Sequence, residues 1–483
     1  MGENFNKKCA IETNEKDGGR YVKAQENIAT GECILLEQPT LLLASDGERR
    51  CGNCFKLAQS YCRSCKITNL CLNCKEHNKY DCEKLAAMEN LNCDLLKRNT
   101  ECYGIIKCLL LQENPDTKAY FDSMLEADCY LEERRGSDIW SHYHVNVVEP
   151  LMKSNILKHL RHGERVDEDF LQRLCALIDV NGFEIRAPDY GTMKGVYLRG
   201  TILTHDCTPN TQISIDDKYC MKIYASRTIE AGEIVTNCYT NVLLGTDERR
   251  KILKITKNLN CHCKRCLDPT EFESHMSTLL CSECKTGYVL KKDPSETKWQ
   301  CQNCQHRRDA KDVDRMLNNL QEEIMNATND IYKLEMSLMR FSKALHPQHY
   351  LIVDIKQNIA SALRQILNDP SQCPGRKVYE RKIELCEDII KVLNLILPGC
   401  ISRLKAITLY ELVSTQAEYY RMRYKENELT KTQLIELLHE VEQMFREAIR
   451  MLLYEPKDTP EGNLLQTMLQ ELKYLQTDIK MLD

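Results

Sequence analysis

The sequence predicts an α+β protein of several domains, in which cysteine-rich metal sites divide a β-rich body from helical segments. The first observation is length, because 483 residues correspond to about three domains of roughly 150 residues each. The second is a set of 27 cysteines, many of them in three tight clusters with CxxC or CxC spacing. The third is a helical period of apolar residues that dominates from about Lys311 to the C-terminus.

Two stretches with strand-like patterns flank a helical one. Residues 19–43 alternate apolar and polar side chains around the turn ATGE, which predicts two or three short strands. Residues 84–180 are mostly helix-forming, and strand patterns return between Gly182 and Tyr239 in TQISID, CMKIYAS and EIVTNCY. The C-terminal helical segment predicts either a simple bundle or a helical repeat array of the tetratricopeptide kind.

The first cysteine cluster lies between Cys51 and Cys82 and predicts two zinc sites. A CxxC pair lets one tight turn present two thiolates to a tetrahedral ion. The 32 residues of this cluster are too few to build a hydrophobic core, so metal binding must supply the folding free energy, on the order of 10 kcal/mol per site. The predicted ligands are Cys51, Cys54, Cys62, Cys65, Cys71, Cys74, His77 and Cys82.

Two further clusters follow the second strand-like stretch. Cys261, Cys263 and Cys266 supply three ligands, so a distant cysteine or a water molecule must complete the tetrahedron. The last cluster is a CxxC-x16-CxxC motif, and this spacing is that of a self-sufficient zinc ribbon. Its predicted ligands are Cys281, Cys284, Cys301 and Cys304.

Composition and charge exclude several function classes. The segment MGENFNKKCA lacks the apolar core of a signal peptide, and no apolar run approaches the roughly 18 residues that span a bilayer. We therefore expect a chain that is neither secreted nor inserted in a membrane, in a reducing compartment where clustered cysteines bind zinc. The net charge of −5 provides no overall attraction to nucleic acid, so we expect no direct binding to it.

Four landmarks within residues 19–266 resemble the SET and MYND family of protein methyltransferases. GRYVKAQENIATGE is similar to the family's opening strand segment, and the eight-ligand cluster interrupts the strands as the MYND finger does. NGFEI from Asn181 and THDCTPN from Thr204 resemble the family's NSF and NHSCxPN segments. NCYTNVLLGTDERRKIL followed by CHCKRC is similar to the strand of the catalytic tyrosine and the post-SET zinc segment. The ribbon is an addition that looks most like arthropod-type members.

The resemblance implies a β-rich SET fold interrupted by the finger. Cys207, in the position of the NHSC cysteine, is implied to complete the site of Cys261, Cys263 and Cys266, which makes about four zinc ions in total. The implied divisions are the N-terminal part of the SET domain (1–50), the MYND finger (51–82), a helical insert (83–180), the SET core (181–250), the post-SET segment (251–270), the ribbon (281–304) and the helical C-terminal domain (311–483).

The family also implies an activity, the transfer of a methyl group from S-adenosylmethionine to a lysine of a histone or another protein. Tyr239 matches the tyrosine of the lysine channel, where its hydroxyl and ring would orient the amine, and Phe183 would line the same channel. Without the neighbouring motifs, Tyr239 would be interpreted as an ordinary strand tyrosine. The positions that match the cofactor site are Arg20, Tyr21, Asn181, Thr204 and His205.

Departures from the family's pattern keep a second function open. Tyr21 stands where the family has a glycine, Thr204 where it has an asparagine, and Lys257 and Leu259 where aromatic residues are expected. A side chain in place of glycine alters how closely a nucleotide can approach the backbone. These residues favour a SET-like scaffold without methyl transfer.

The finger of such a scaffold would recruit proline-containing corepressor peptides, as the family's fingers do. We prefer the enzyme, because the channel residues and the zinc framework are present. We expect a monomer that acts in transcriptional regulation and is located in the nucleus and the cytoplasm.

Overall fold

The computed structural model describes residues 5–15, 18–45, 47–88, 94–160, 165–187, 191–293, 296–328 and 330–482. A β-rich body with an inserted finger and inserted helices occupies the N-terminal half, and helices dominate the C-terminal part. The α+β fold class predicted from the sequence is therefore confirmed. Within the described ranges, no helix combines the length and apolar character needed to cross a bilayer.

Short strands build the body and the finger. They are β1 (Cys9–Thr13), β2 (Arg20–Ala24), β3 (Cys33–Glu37), β4 (Leu41–Ala44), β5 (Ser60–Tyr61), β6 (Asn69–Leu70), β7 (Gly182–Arg186), β8 (Thr192–Val196), β9 (Thr204–His205), β10 (Thr211–Ile215), β11 (Met221–Ala225) and β12 (Thr236–Asn237). The strands predicted between residues 19 and 43 and between 182 and 239 are confirmed. β1 was not predicted, because its five residues form too short an alternation to identify without the partner β2.

The strands of the body pair across the inserted segments. β3 pairs antiparallel with β11, which pairs with β10, and β4 pairs with β8, which pairs with β7. The short strands β9 and β12 are parallel, with Thr204 opposite Thr236 and His205 opposite Asn237. The residues before and after the finger thus belong to the same sheets, and this long-range pairing holds together the two parts of the body.

The inserted helices pack into a core of their own beside the finger. They are α1 (Lys79–Ala87), α2 (Asp94–Arg98), α3 (Thr100–Glu113), α4 (Lys118–Leu125), α5 (Leu131–Arg134), α6 (Asp138–Tyr143), α7 (Glu149–Lys153) and α8 (Glu168–Asn181), with a π-helical turn at His144–Val148. α8 begins at the N-cap Asp167, whose side chain accepts a hydrogen bond from the Phe170 amide. It ends at Asn181, directly before β7, and this boundary positions Asn181 and Phe183.

The segment after β12 contains two helices and the ribbon. The elements are α9 (Thr246–Lys257), α10 (Lys264–Leu267), β13 (Leu279–Leu280), β14 (Tyr288–Leu290), β15 (Lys298–Cys301) and β16 (Arg307–Asp309). α9 has acidic residues in its first turn and lysines in its last, which complements the helix dipole. It ends because Asn258 adopts the left-handed conformation, with φ of 47°.

The remaining helices form the C-terminal region. They are α11 (Ala310–Asn326), α12 (Ile331–Phe341), α13 (Tyr350–Asn368), α14 (Arg376–Ile396), α15 (Arg403–Lys425), α16 (Lys431–Leu452) and α17 (Pro460–Leu482). From α12 onward, the most extensive helix–helix packing is between neighbours in sequence. Packing between sequence neighbours is typical of a helical repeat array, so the structure favours that alternative over a simple bundle.

A buried carboxylate joins this helical region to the body. Glu455 follows α16 and accepts two hydrogen bonds of 2.9 Å from the Arg403 guanidinium at the start of α15. It also accepts hydrogen bonds from Gln212 Nε2 at 3.0 Å and from the Ser214 hydroxyl at 3.2 Å, both on β10. Because the Glu455 side chain is 1% exposed, these four donors replace the water that it loses on folding.

We expect Glu455→Gln to lower the free energy of unfolding by about 1–3 kcal/mol, because a neutral amide leaves donors of Arg403 and β10 without an acceptor. Urea unfolding of the zinc-loaded chain measures this difference. Glu436→Gln, at an exposed position of α16, is the matched control and should change the free energy by less than about 0.5 kcal/mol. Equal effects of the two substitutions would contradict the prediction.

Candidate metal centres and active site

The finger brings its eight predicted ligands together as two interleaved groups. The first and third CxxC pairs form one group, with Cys54 Sγ 3.6 Å from Cys71 Sγ. The second pair joins the last two ligands, with Cys62 Sγ 3.7 Å from Cys82 Sγ and Cys65 Sγ 3.3 Å from His77 Nε2. The groups are Cys51, Cys54, Cys71 and Cys74, and Cys62, Cys65, His77 and Cys82.

The other two groups follow the sequence expectations as well. Cys207 lies two residues after β9, and its Sγ is 3.5 Å from Cys266 Sγ and 3.9 Å from Cys261 Sγ. Cys263 belongs to the same group. In the ribbon, the two CxxC pairs face each other, with sulfur–sulfur distances of 3.7 Å. The four groups contain all sixteen residues predicted as ligands, and in each group the ligand atoms lie within 4.8 Å of one another.

These distances fit zinc and not disulfides. A disulfide requires sulfur atoms about 2 Å apart, whereas neighbouring sulfur atoms in these groups are 3.5–3.9 Å apart. Two thiolates that each lie about 2.3 Å from one tetrahedral zinc ion are about 3.8 Å apart. His77 is buried, and burial lowers its pKa to about 4, so the imidazole is in the neutral form that coordinates a metal.

A buried ion cluster lies against the group of Cys207. Arg249 on α9 donates from Nε to Cys207 Sγ at 3.2 Å and from Nη1 to Glu271 Oε2 at 2.8 Å. Arg265 donates from Nε to the same Glu271 oxygen at 3.0 Å. All three side chains are at most 1% exposed, and the two guanidinium groups hold the pKa of Glu271 at about 2. Sequence reasoning missed this cluster, because its residues lie within ordinary charged runs.

The same thiolate group holds the predicted catalytic tyrosine through a histidine. His205 is buried, with Nε2 3.3 Å from Cys207 Sγ, and its Nδ1 accepts a hydrogen bond of 3.0 Å from the Tyr239 amide. Burial lowers the pKa of His205 to about 4, so the ring is neutral. Since Nδ1 is an acceptor, the proton is on Nε2, which faces the sulfur. The Tyr239 hydroxyl donates to the carbonyl oxygen of Leu203.

Phe183 and the residues that flank Tyr239 line one large cavity. Its volume is about 1140 Å³, and Cys238, Thr240 and Phe183 form part of its wall, facing residues of the C-terminal helices such as Leu404. The Phe183 ring also packs edge-on against Tyr197, with 5.7 Å between ring centroids. Cys54 and Lys56 of the finger complete one end. The cavity therefore lies where the body, the finger and the helical region meet.

The residues predicted to bind the cofactor occupy neighbouring strands and one helix end. Thr204 is exposed on β9 next to the buried His205, and Asn181 donates through Nδ2 to the carbonyl oxygens of Asp128 and Leu177. Arg20 and Tyr21 begin β2, whose next residue Val22 accepts a backbone hydrogen bond from Val235, just before β12. β2, β9 and β12 therefore lie side by side.

The Tyr21 hydroxyl donates a hydrogen bond of 2.8 Å to the carboxylate of Glu12, which lies on β1. This bond is the structural consequence of a side chain at the position where the family has glycine.

Comparison with known proteins agrees with this geometry. The SET domain profile matches residues 19–240. The SET domain-containing protein SmydA-8, isoform B, of Drosophila melanogaster is 25% identical over 71% of this chain and 77% of that protein. The N-lysine methyltransferase SMYD2-A of Danio rerio is 23% identical over 53% of this chain and 60% of that protein.

The histone-lysine N-methyltransferase ASHR1 of Arabidopsis thaliana is 22% identical over 65% of this chain and 67% of that protein. Residues 19–240 therefore match the SET domain family, and the chain is similar to SMYD-type members of that family. It is a homologue of lysine methyltransferases. A solved structure, the SET domain of LSMT bound to lysine and AdoHcy, aligns at 11% identity over 98% of this chain and 88% of that chain, with a TM-score of 0.31.

We expect the purified chain to carry about four zinc ions, one for each cysteine-rich group. Cys261→Ser should remove about one ion per chain, because three ligands bind zinc less tightly than four. Elemental analysis measures the content, and Cys373→Ser, at an exposed cysteine outside the groups, should leave it unchanged. A wild-type content far below four ions would contradict the assignment.

Proposed function

We propose that this chain transfers a methyl group from S-adenosylmethionine to a lysine side chain of another protein. The observation that carries the proposal is the position of Tyr239. Its amide donates to His205, and its sequence neighbours Cys238 and Thr240 line a cavity large enough for a peptide. Relatives whose names describe lysine methyltransferases support the same reaction.

The acceptor amine must be neutral, and it must approach the methyl group in line. Burial raises the pKa of Tyr239 above its ordinary value, so the phenol keeps its proton at neutral pH and serves to position the amine rather than to remove a proton. Its ring offers a face for cation–π contact with the methylated product. S-adenosylmethionine, when bound, supplies the methyl group as a reactive sulfonium.

Residues at the side-by-side strands would hold that cofactor. The exposed Thr204 hydroxyl beside the buried His205 provides a polar rim next to a packed wall, which fits a ligand with both polar and apolar groups. The residues that would bind it are Arg20, Tyr21, Asn181, Thr204 and His205.

The charge of the cavity favours a basic protein segment as the substrate. Two arginines of the wall are neutralised by ion pairs, Arg403 with Glu455 and Arg186 with Glu461. The other charged residues of the lining comprise four that are acidic and one that is basic. They are Glu184, Asp216, Asp217, Asp458 and Lys56. This excess attracts a lysine-rich segment, such as those of histones. The role would be transcriptional regulation by a monomer in the nucleus and the cytoplasm.

We expect Tyr239→Phe to lower the transfer rate by on the order of 10–100-fold, because the ring loses the hydroxyl that is fixed by Leu203 and its orientation relaxes. Transfer of labelled methyl groups to a protein array measures the rate, and circular dichroism shows that the chain stays folded. Tyr120→Phe, at an exposed position of α4, is the matched control. If wild-type chain shows neither transfer across the array nor binding of S-adenosylmethionine by calorimetry, the proposed enzyme is wrong.

A second candidate function is a scaffold that binds proline-containing corepressor peptides through the finger. Three observations favour it. The Tyr21 hydroxyl is already bonded to Glu12 at the cofactor edge, and the Lys257 ammonium lies over the Tyr239 ring, 5.7 Å from its centroid. The finger also exposes an apolar side chain, since Leu72 is 82% exposed.

For this second function, we expect a proline-rich corepressor peptide to bind the wild-type chain and the Tyr239→Phe variant equally. Cys62→Ser should abolish binding because it dismantles one metal group of the finger. Leu72→Asp should weaken binding at least tenfold without loss of zinc, which separates a surface effect from unfolding. Fluorescence anisotropy measures the affinity, and finger variants that bind like wild type would refute the scaffold.

A further inference from the structure

A lysine of the chain itself occupies the space in front of Tyr239. Lys257 is the last residue of α9, and its ammonium lies 5.7 Å from the centroid of the Tyr239 ring. The same nitrogen donates to the carbonyl oxygen of Val180, near the end of α8. The Tyr239 hydroxyl donates to the carbonyl oxygen of Leu203. The lysine nitrogen and the phenol are therefore each bonded to a backbone carbonyl oxygen.

The surroundings of Lys257 favour the neutral amine. Burial, assisted by repulsion from Lys194 on β8, lowers its pKa to about 8, and Asp179 on α8 opposes the shift. Asp179 is largely neutralised by its own partners, since it accepts hydrogen bonds from three groups. These donors are Arg134, Tyr143 and Lys194.

The remaining group that faces the ammonium is the Tyr239 phenol, which burial keeps uncharged. With a pKa of about 8, about one molecule in ten carries the neutral amine at pH 7, whereas an exposed lysine with a pKa of about 10.4 is almost entirely charged.

We propose that Lys257 is a methylation site of this chain's own SET domain, so that the amine in front of Tyr239 is an intramolecular acceptor. This inference rests on the proposed function, because the methyl group comes from S-adenosylmethionine at the same site. The acceptor is placed by α9 and needs no substrate cavity, so the reaction proceeds without a second protein. The cavity of about 1140 Å³ stays available to other segments.

The reaction balances with the groups already named. Lys257 first loses a proton to water. Its lone pair then forms the new nitrogen–carbon bond, and the electrons of the broken carbon–sulfur bond remain on sulfur, so the products are methyl-lysine and the neutral thioether S-adenosylhomocysteine. The secondary ammonium gives its extra proton to water, and no oxidant or further reactant is required.

The charge of Lys257 has a consequence for binding that does not depend on turnover. A sulfonium and an ammonium that share one buried site repel each other strongly. S-adenosylmethionine should therefore bind preferentially to chains whose Lys257 is neutral. The affinity then rises with pH through about 8, because the deprotonated amine is the form that admits the cation. S-adenosylhomocysteine has no charge on sulfur and should lack this dependence.

Mass spectrometry of the full-length, zinc-loaded chain tests the modification. After incubation with S-adenosylmethionine, we expect methyl-lysine at position 257 at a rate per chain that is independent of protein concentration. Tyr239→Phe should slow its formation, and Lys257→Arg should eliminate it. Lys251→Arg, at an exposed position of the same helix, should leave modification of Lys257 intact. An unmodified Lys257 in a preparation that methylates other proteins would overturn the inference and leave the proposed function standing.

Calorimetry provides the second readout. Between pH 7 and pH 9, we expect S-adenosylmethionine to bind about tenfold more tightly to the wild-type chain and to Lys251→Met, because one group with a pKa near 8 loses its proton. Binding to Lys257→Met should not change with pH in this way, nor should binding of S-adenosylhomocysteine to any of the chains. A pH dependence that persists in Lys257→Met would overturn the inference. Failure of both ligands to bind any chain would instead overturn the proposed function.

Discussion

The fold of the candidate site depends on four cysteine sulfurs that draw together residues more than fifty positions apart. Cys207 lies two residues after the short strand β9, and its three partners lie just after α9. Without a metal ion, the four thiol groups only touch one another, and their interaction is weak and partly repulsive. With zinc, the same atoms form a rigid tetrahedron. His205 lies against this tetrahedron and accepts a hydrogen bond from the Tyr239 amide, so Tyr239 is linked to the metal group through a single side chain.

The buried ion cluster solves an electrostatic problem that the metal creates. Four thiolates more than neutralise a zinc dication, and burying the excess negative charge is costly. Arg249 donates to Cys207 Sγ and compensates that charge, while Glu271 compensates Arg249 and Arg265 in turn. None of these three groups could be buried alone, because an isolated charge in the interior is strongly unfavourable. The cluster therefore extends the metal group from α9 to the segment that precedes the ribbon.

The sequence predicted the metal groups whose ligands are close together in the chain. It could not predict which distant residues complete or surround a metal group. Spacing alone identified the ribbon ligands, since two CxxC pairs suffice for one ion. Spacing could not pair the finger ligands, because the interleaving of Cys54 with Cys71 depends on how β5 and β6 fold back. Cys207 was found only through resemblance to a family. The roles of Arg249 and Glu271 depend on burial, which a charged run does not indicate, and the cavity depends on how the C-terminal helices pack against β10.

Lys257 shows how closely the metal group and the reacting position are coupled. His205 contacts both Cys207 Sγ and the Tyr239 amide, and so connects Tyr239 to the metal group. Lys257, the last residue of α9, lies only four positions before the ligand Cys261 in the sequence. Both sides of the contact between the lysine and the tyrosine are therefore fixed to the same tetrahedron. We therefore expect a change in metal loading to displace the amine and the phenol together. We expect a change in the cavity wall, which includes Phe183 and residues of the C-terminal helices, to leave this contact in place. The proposed modification of Lys257 and the proposed transfer to other proteins should then share a dependence on zinc and differ in their dependence on the helical region.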